Sequence, residues 1–296
     1  MDFSLSEEQS FIQTTARKFA ESELAPVAEE LDQVGNRPVF LNNLKQLAEL
    51  GFMGLNVKGE YGGTEAGTVA FSLALTELAR GCASTAVTTS VTNMVAEVIQ
   101  AVGSDAQKAH YLPKLCSGDY PAGGFCLTET GAGSDPSAMR THAVKDGDFW
   151  VLNGSKQFIT SGEYAGVFVV WAVTDKNLPK GKGISCFLVE AGTPGLIVGK
   201  AEKKMGQHAS ATNEILFENC RVPESAILGH LNQGFKVAVG ELAGGRIGVG
   251  SIALGIGLAA MDFAKNYVGC LYKSGARFPR TALNSLNSLQ IKSPFF

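Results

Sequence analysis

The chain has 296 residues, of which 45% are hydrophobic and 18% are charged, and its formal net charge at pH 7 is -3. This apolar content is enough for two or three compact domains of ordinary size, which excludes a wholly disordered chain. The charges form no long run of one sign, and without a basic stripe we expect no nucleic-acid partner.

Cysteine and histidine are scattered along the chain. The six cysteines form no close pairs, and a chain of this size needs no disulfides to stabilise its core. The four histidines stand apart and lack metal-ligand spacing. We therefore expect reduced thiols, a cytoplasmic location and no bound metal. The first residues resemble neither a signal peptide nor an Arg-rich targeting helix, which supports the same expectation.

The first 120 residues are predicted to be helical. Ser6 followed by Gln9 is typical of a capping box at the start of a helix, and Pro26 is expected to end or bend that helix. Apolar residues then fall on one helical face: Phe11, Ile12, Ala16, Phe19 and Ala20. Further helices are predicted for residues 38–50, 69–80 and 87–102, with glycines directly after them.

After residue 120 the apolar pattern becomes typical of strands. Residues 149–152 and 157–160 flank Asn153-Gly154, which predicts a β-hairpin with its turn at this dipeptide. Other β-branched or aromatic runs, bounded by Gly, Pro or Asn, lie at residues 167–173, 184–189 and 214–218. The middle of the chain is therefore predicted to be mainly β.

Helical periodicity returns at Gln233 and continues through Phe263. Within this stretch, residues 247–261 are continuously apolar or small between Arg246 and Asp262, which is shorter than the roughly 20 residues needed to cross a bilayer. Small residues recur at four-residue spacing and permit a close approach to a neighbouring helix. We expect a buried helix here and no membrane span.

Residues 125–135 read Phe-Cys-Leu-Thr-Glu-Thr-Gly-Ala-Gly-Ser-Asp and form the most informative segment. Its hydroxyls and glycines beside a short apolar run suit close backbone approach to a planar, phosphate-bearing ligand. A plain Gly-rich turn is the alternative that the residue types leave open. A dinucleotide-binding fold is disfavoured, because Gly131-x-Gly133 lacks a third glycine and precedes a β region rather than opening a helix.

From Cys126 to Asp135 this segment resembles, position for position, the flavin-contacting segment of the acyl-CoA dehydrogenase family. The likeness extends from Phe3 to about Tyr267. It implies a multidomain α and β fold: an N-terminal α-helical domain (1–121), a middle β domain (122–230) and the start of a C-terminal helical bundle (231–296). It also implies a FAD-dependent oxidoreductase of fatty acid β-oxidation that introduces an α,β double bond into acyl-CoA. The implied electron acceptor is an electron-transfer flavoprotein.

The resemblance carries ligand contacts over to three places. Phe158-Ile159-Thr160 corresponds to a Trp-Ile-Thr triplet beside the flavin, with Phe158 replacing the commoner Trp; the residue types alone indicate only an apolar strand. Ser134 and Arg246 are implied to contact acyl-CoA, although Ala243 replaces the family's acidic residue, and Arg246 fits a role in joining helices equally well. The remaining implied flavin contacts are Phe125, Cys126, Leu127, Thr128, Glu129, Thr130, Gly131, Ala132, Gly133 and Ser134.

The likeness also bears on the acyl chain of the substrate and on how far along the chain the family match extends. Residues 80–85 resemble those of short-chain and branched short-chain members. After Tyr267 the match is lost, and no Asp or Glu occurs from Phe263 to the end, which indicates a frameshifted or chimeric C-terminus. The base-bearing segment of the family has no counterpart, so no catalytic residue is assigned and a truncated, inactive form is expected. The intact family member is expected to form a homo-oligomer.

Two alternatives belong to other functional classes. A non-catalytic acyl-CoA or FAD binding protein would keep ligand affinity without turnover. An interaction subunit would use its exposed helical face to pair with a full-length relative. A flavin absorbance spectrum of the purified chain distinguishes these alternatives from the enzyme.

Overall fold

The computed structural model describes residues 4–34 and 36–273. Its described part contains α-helices up to Ser117, strands from Ala122 to Leu228, and then one long helix. This order confirms the predicted fold of an N-terminal helical domain, a middle β domain and a C-terminal helix. Most of the divergent segment that follows Tyr267 lies outside the described residues.

The first helix of the N-terminal region begins where its predicted cap places it. The Ser6 hydroxyl accepts a hydrogen bond from the Gln9 backbone N–H at 3.1 Å, and the Gln9 side chain accepts one from the Ser6 N–H at 3.0 Å, which confirms the capping box. Pro26 lies in a 3₁₀ turn, Ala25–Val27, that separates the first two helices. The helices are α1 Glu7–Phe19, α2 Ala28–Val34, α3 Arg37–Glu49, α4 Gly67–Gly81, α5 Ala83–Val102 and α6 Asp105–Ser117.

Only part of the predicted apolar face of α1 is buried. Ala16, Phe19 and Ala20 are buried against the helical core, but the Phe11 side chain is 71% exposed. Phe11 directly precedes Ile12, and neighbouring residues point about 100° apart on a helix, so a narrow contact with α4 cannot bury both fully.

The strands form one mixed sheet of eight strands within the described residues. Its order is β6-β7-β3-β2-β4-β5-β8, and β1 pairs in parallel with β4. Most neighbours are antiparallel. The strands are β1 Ala122–Cys126, β2 His142–Asp146, β3 Phe149–Thr160, β4 Ala165–Val173, β5 Ile184–Glu190, β6 Leu196–Ala201, β7 Thr212–Pro223 and β8 Ile227–Leu228.

The predicted hairpin at Asn153-Gly154 is wrong. Both residues lie inside the continuous strand β3, and the tight turn instead joins β2 to β3 at Gly147, where φ is +59°. At Gly154 the pairing of β3 with β7 shifts its register, and a Cβ there would lie 2.6 Å from the Thr141 hydroxyl. Glycine is thus required by a bulge and a close strand approach rather than by a turn.

The C-terminal helix α7 (Gly234–Lys273) connects the two domains. At its start the Trp171 indole N–H of β4 donates to the Gly234 carbonyl at 2.8 Å. Further along, α7 packs on α5 and α4, where Cβ atoms at Gly248 and Gly255 would lie 2.5 Å from the Ser90 hydroxyl and 2.2 Å from the Thr76 carbonyl. These contacts confirm that small residues permit close helix packing.

The prediction that α7 is a buried helix holds for only one of its faces. Ile252 is 3% exposed, whereas Ile247, Val249, Leu254 and Ile256 are between 41% and 62% exposed. By length and composition alone, α7 is the one described helix that could cross a membrane, with a mean hydropathy of 1.7 in its most apolar stretch. Its packing on α4 and α5 favours a helix of a bundle.

Candidate functional site

The triplet 158–160 lies at a bulge in β3. Lys156 pairs with Ile215 and Ile159 with Asn213, so Gln157 and Phe158 together oppose the single residue between those partners. The extra residue turns the Phe158 side chain outward, where it is 63% exposed, while Ile159 is buried. Phe158 has φ +59°, a conformation that bulky side chains rarely adopt and that is common at functional sites.

The bulge brings the triplet against the segment 125–135. The Gln157 backbone N–H donates to the Thr128 carbonyl at 2.8 Å, so Thr128 lies beside the bulge that carries Phe158. Thr128 and Thr160 are both half-buried. Neither hydroxyl hydrogen-bonds to another of the described residues. The structure therefore joins the two regions that the sequence singled out separately.

A buried ion pair lies under this junction. The Lys156 ammonium is fully buried and donates to Glu129 Oε1 at 2.8 Å and to the Leu127 carbonyl at 3.2 Å. Burial would raise the pKa of Glu129, but Lys156 and the N–H groups of Arg140 and Thr141 outweigh burial and hold that pKa below its usual value. Glu129 is thus an internal anion rather than a free carboxylate.

The side chains of segment 125–135 divide into an inner and an outer set. Cys126, Leu127 and Ala132 are buried in the hydrophobic clusters of the domain, and half-buried Phe125 packs on Trp171 with ring centroids 4.5 Å apart. Any ligand contact from the buried residues therefore comes from backbone atoms. The exposed residues of the segment are Thr130, Gly131, Gly133, Ser134 and Asp135.

The outer surface of this junction suits a planar ring with a polar edge. A Cβ built on Gly131 or Gly133 would have no heavy atom within 4 Å, so the backbone is open to approach there. The exposed Phe158 ring offers an apolar face, and the Thr128 and Thr160 hydroxyls are free to bond. These properties go beyond those of a plain Gly-rich turn.

A cleft of about 400 Å³ begins three residues after Ser134. It is lined by Ser137 and by Arg140, Lys176 and Lys180, among other residues. Lys180 also pairs with Asp135 at 2.5 Å. The three cationic side chains outnumber the one acidic side chain that lines the cleft, Asp175, and this excess of positive charge suits the phosphates of a ligand.

Arg246 lies on α7 and is exposed. It makes no hydrogen bond or ion pair with another residue that the structure describes, so it does not join α7 to α4 or α5 there. The nearby glycine Gly245 approaches α5, where a Cβ would lie 2.7 Å from the end of the Met94 side chain. Arg246 is thus available for a ligand or for another chain.

Three buried or half-buried ionisable residues were not singled out from the sequence. Lys156 lies under the junction between segment 125–135 and the triplet 158–160, and Glu97 on α5 faces Glu241 on α7. A lysine at an alternate position of β3 in line with apolar Trp150 and Leu152 is the one signal that was available, because a buried ammonium needs an anionic partner. No pattern relates Glu97 to Glu241, since only helix packing makes them neighbours. Within the described ranges no cluster of metal-binding side chains occurs.

The chain matches two family models. The model described as "Acyl-CoA dehydrogenase, N-terminal domain" matches residues 6–119, and the model described as "Acyl-CoA dehydrogenase, middle domain" matches residues 124–220. Segment 125–135 and the triplet 158–160 both fall within the second match.

Relatives and solved structures agree with these matches. The chain is 44% identical to the acryloyl-CoA reductase (NADH) of Anaerotignum propionicum, over 90% of this chain and 68% of the relative. The butyryl-CoA dehydrogenase structure from Megasphaera elsdenii has a TM-score of 0.85 and 40% identity, covering 90% of this chain and 70% of that one. An acyl-CoA dehydrogenase complexed with FAD from Bacillus anthracis has a TM-score of 0.83 and 31% identity, covering 89% of this chain and 44% of that one.

The two family models together account for most of the chain, and the relative from Anaerotignum propionicum is matched over more than two thirds of its own length. The chain therefore belongs to the acyl-CoA dehydrogenase family.

Proposed function

We propose that this chain carries the flavin and acyl-CoA contacts of a FAD-dependent oxidoreductase that introduces an α,β double bond into a short-chain acyl-CoA. One observation carries the proposal: the hydrogen bond from Gln157 to Thr128 unites the two regions that resemble flavin contacts. The FAD complex of the relative from Bacillus anthracis supports the cofactor, and the butyryl-CoA dehydrogenase structure supports a short acyl chain.

FAD fits the surface formed by these residues. An isoalloxazine ring has apolar faces and a polar edge, which suit the Phe158 ring and the Thr128 and Thr160 hydroxyls respectively. Gly131 and Gly133 leave room for close backbone contact. A bound FAD would accept the hydride that leaves the β carbon. The residues of this chain bind and orient the ring and exclude water from its inner face.

Acyl-CoA is supported by the cationic cleft and by α7. The phosphates of CoA are anionic, and Arg140, Lys176 and Lys180 line the cleft that follows Ser134. Arg246 is exposed and adds a guanidinium that the described residues leave unpaired. The name of the acryloyl-CoA reductase relative supports a carbon–carbon double bond of an acyl-CoA as the reacting group. It does not support the direction of the reaction, because reduction of that double bond is the reverse of its introduction.

The physiological context belongs to the same proposal. From the likeness to this family we also propose fatty acid β-oxidation as the pathway, an electron-transfer flavoprotein as electron acceptor, and assembly as a homo-oligomer. The five described cysteines are free and buried, which is compatible with the cytoplasmic location we propose. Fractionation of cells that express the tagged chain tests that location, and recovery in an exported fraction would contradict it.

We further propose that a polypeptide of these 296 residues does not by itself dehydrogenate acyl-CoA. Both carboxylates of segment 125–135 are engaged, Glu129 with Lys156 and Asp135 with Lys180. A general base typically contributes about 10²- to 10⁴-fold to the rate. Butyryl-CoA turnover with an artificial electron acceptor tests this, and a rate near that of an intact relative would contradict it.

Flavin binding is tested by fluorescence titration of FAD against the purified chain. Thr128→Val and Thr160→Val each remove one hydroxyl, which corresponds to about 0.5 to 1.5 kcal/mol, or up to about tenfold in affinity. Ser10→Ala is the matched control, because this exposed hydroxyl lies on α1 outside the site. Equal affinity in all four proteins would favour the interaction subunit, and flavin binding that depends on these hydroxyls but produces no turnover in any assembly would favour the non-catalytic binding protein.

A further inference from the structure

Lys156 holds three separate parts of the chain together beneath the junction between segment 125–135 and the triplet 158–160. Its ammonium is 0% exposed and donates to the Leu127 carbonyl and to Glu129, while Met139 Sδ lies 3.8 Å away. The carboxylate of Glu129 is also nearly buried, with 8% exposure. A buried ammonium without an anion would be strongly unfavourable, so the two residues hold each other in place.

Glu129 extends this contact to the start of β2. Its carboxylate accepts the Arg140 N–H at 2.6 Å and the Thr141 N–H at 3.0 Å. Charge-assisted hydrogen bonds of this kind are shorter and stronger than neutral ones. The pair therefore ties segment 125–135, the entry to β2 and the bulge of β3 to one buried point.

The positions of Thr128 and Phe158 on the outer surface of the junction depend on the same buried ion pair. Thr128 lies between Leu127 and Glu129, both of which contact Lys156. Phe158 lies two residues after Lys156 and keeps a strained backbone conformation that surrounding contacts must maintain. The Gln157 N–H next to Lys156 bonds the Thr128 carbonyl. Movement of the buried pair would thus displace both the hydroxyl and the ring.

We propose that Lys156 is a positioning residue of the flavin site, and that through Glu129 it sets the relative placement of the Thr128 hydroxyl and the Phe158 ring. This inference rests on the proposed flavin-binding function. Lys156 acts from below the site and need not touch the cofactor. Its role is to keep the polar and apolar contacts at the spacing that one planar ring requires.

Two variants of the full chain separate positioning from simple stability. Glu129→Asp keeps the charge but shortens the side chain by one methylene, so the carboxylate cannot keep all its contacts with Lys156, Arg140 and Thr141. Lys156→Met with Glu129→Gln removes both charges together, which avoids leaving one of them buried and unpaired. We expect FAD affinity to fall at least tenfold in both, measured by fluorescence titration. Thermal unfolding of the apo chain measures their stability.

Amide hydrogen exchange supplies a readout that needs no cofactor. In both variants we expect faster exchange at residues 128–141 and 156–158 of the apo chain, with α4 unchanged. Glu77→Gln is the matched control, because Glu77 is 2% exposed and pairs with Arg17 in the helical domain. This control is expected to lower the unfolding temperature and to leave FAD affinity unchanged.

The outcomes distinguish the two proposals. Wild-type FAD affinity in both variants would overturn the positioning role while leaving the proposed function intact. Unchanged exchange at residues 128–141 would also overturn it. Failure of the wild-type chain itself to bind FAD, despite a cooperative unfolding transition, would overturn the proposed function and the positioning role with it.

Discussion

Glu241 on α7 and Glu97 on α5 direct carboxylate oxygens at the same place, each 3.8 Å from the position that a Cβ on Gly244 would occupy. Asn56 donates to Glu97 at 2.7 Å, whereas Glu241 Oε1 is buried without a hydrogen-bond partner among the described residues. Burial raises the pKa of Glu241 to about 8, and the neighbouring Glu97 adds to that shift. At neutral pH Glu241 is therefore largely protonated.

This acidic contact makes stability depend on pH. The pKa of Glu241 rises from 4.5 to about 8 on folding, so the folded chain binds more protons between these values and its stability falls as pH rises through that window. Glu241→Gln removes the effect. We expect the variant to exceed the wild type in free energy of unfolding at pH 8.5, on the order of 2 kcal/mol, and to match it near pH 4.5.

Urea unfolding at the two pH values measures this difference. Glu218→Gln is a matched control for loss of one carboxylate, because Glu218 is exposed on β7. A stability gain that is equal at both pH values would show that the glutamine acts through packing rather than through ionisation.

His208 attaches the β domain to α2. Its Nδ1 lies 2.7 Å from the Asp32 carbonyl and its Nε2 lies 2.7 Å from the Lys204 carbonyl. Carbonyl oxygens only accept hydrogen bonds, so both ring nitrogens must donate and the imidazole is charged in this arrangement. The Lys204 carbonyl, the Asp32 carbonyl and the Asp32 carboxylate raise the pKa of His208 above 6.5.

We expect His208→Gln to destabilise the chain in a pH-dependent way. The pKa of His208 is raised on folding, so its stabilising effect is fully present below pH 6.5 and is lost as pH rises through the folded-state pKa. The difference in unfolding temperature between wild type and variant should therefore be larger at pH 5.5 than at pH 9. A difference that stays constant across this range would contradict the charged arrangement.

Phe158 links backbone strain to ligand binding. Its φ of +59° is unfavourable for a bulky residue, and its ring, at 63% exposure, gains little from burial in the chain alone. Phe158→Gly should relieve the strain and raise the free energy of unfolding by about 1 kcal/mol, while lowering FAD affinity. Phe158→Ala should lower affinity without that stabilisation, because alanine keeps the Cβ. Urea unfolding and FAD titration measure both effects, and a Phe158→Gly variant that binds FAD like the wild type would contradict the assigned role of the ring.

The exposed face of α7 predicts association. Val249 is 62% exposed and Leu254 is 49% exposed, with Ile247 and Ile256 beside them. Apolar patches of this kind commonly mark an interface or cause aggregation. We expect a weight-average mass above that of the monomer in sedimentation velocity, and a lower mass in a Val249→Lys, Leu254→Lys variant. Phe11→Lys on α1 is the control, because Phe11 is a single exposed ring on another helix. A monodisperse wild-type monomer would contradict this prediction.

Helices and strands were predictable where the signal is local. The capping box at Ser6 and the helix end before Gly51, where φ is +81°, depend on residues within one turn of each other. The strands at residues 167–173 and 184–189 follow from their own β-branched runs. The prediction of a turn at Asn153-Gly154 was wrong, because the local turn preference of two residues is outweighed by the pairing of β3 with β7. That pairing is a contact between distant segments of the chain.

The amino-acid sequence alone determined the family likeness, the change from helices to strands and the two segments that resemble flavin contacts. Motifs and hydrophobic periodicity depend only on residues that are close together in the sequence. Only the tertiary structure decided what those segments share: the outward turn of Phe158 at a bulge, the Gln157–Thr128 bond, and the Lys156–Glu129 pair formed by residues 27 positions apart. Contacts of this kind depend on how strands pair and helices pack, and a buried ammonium is stable only once folding has supplied its anion.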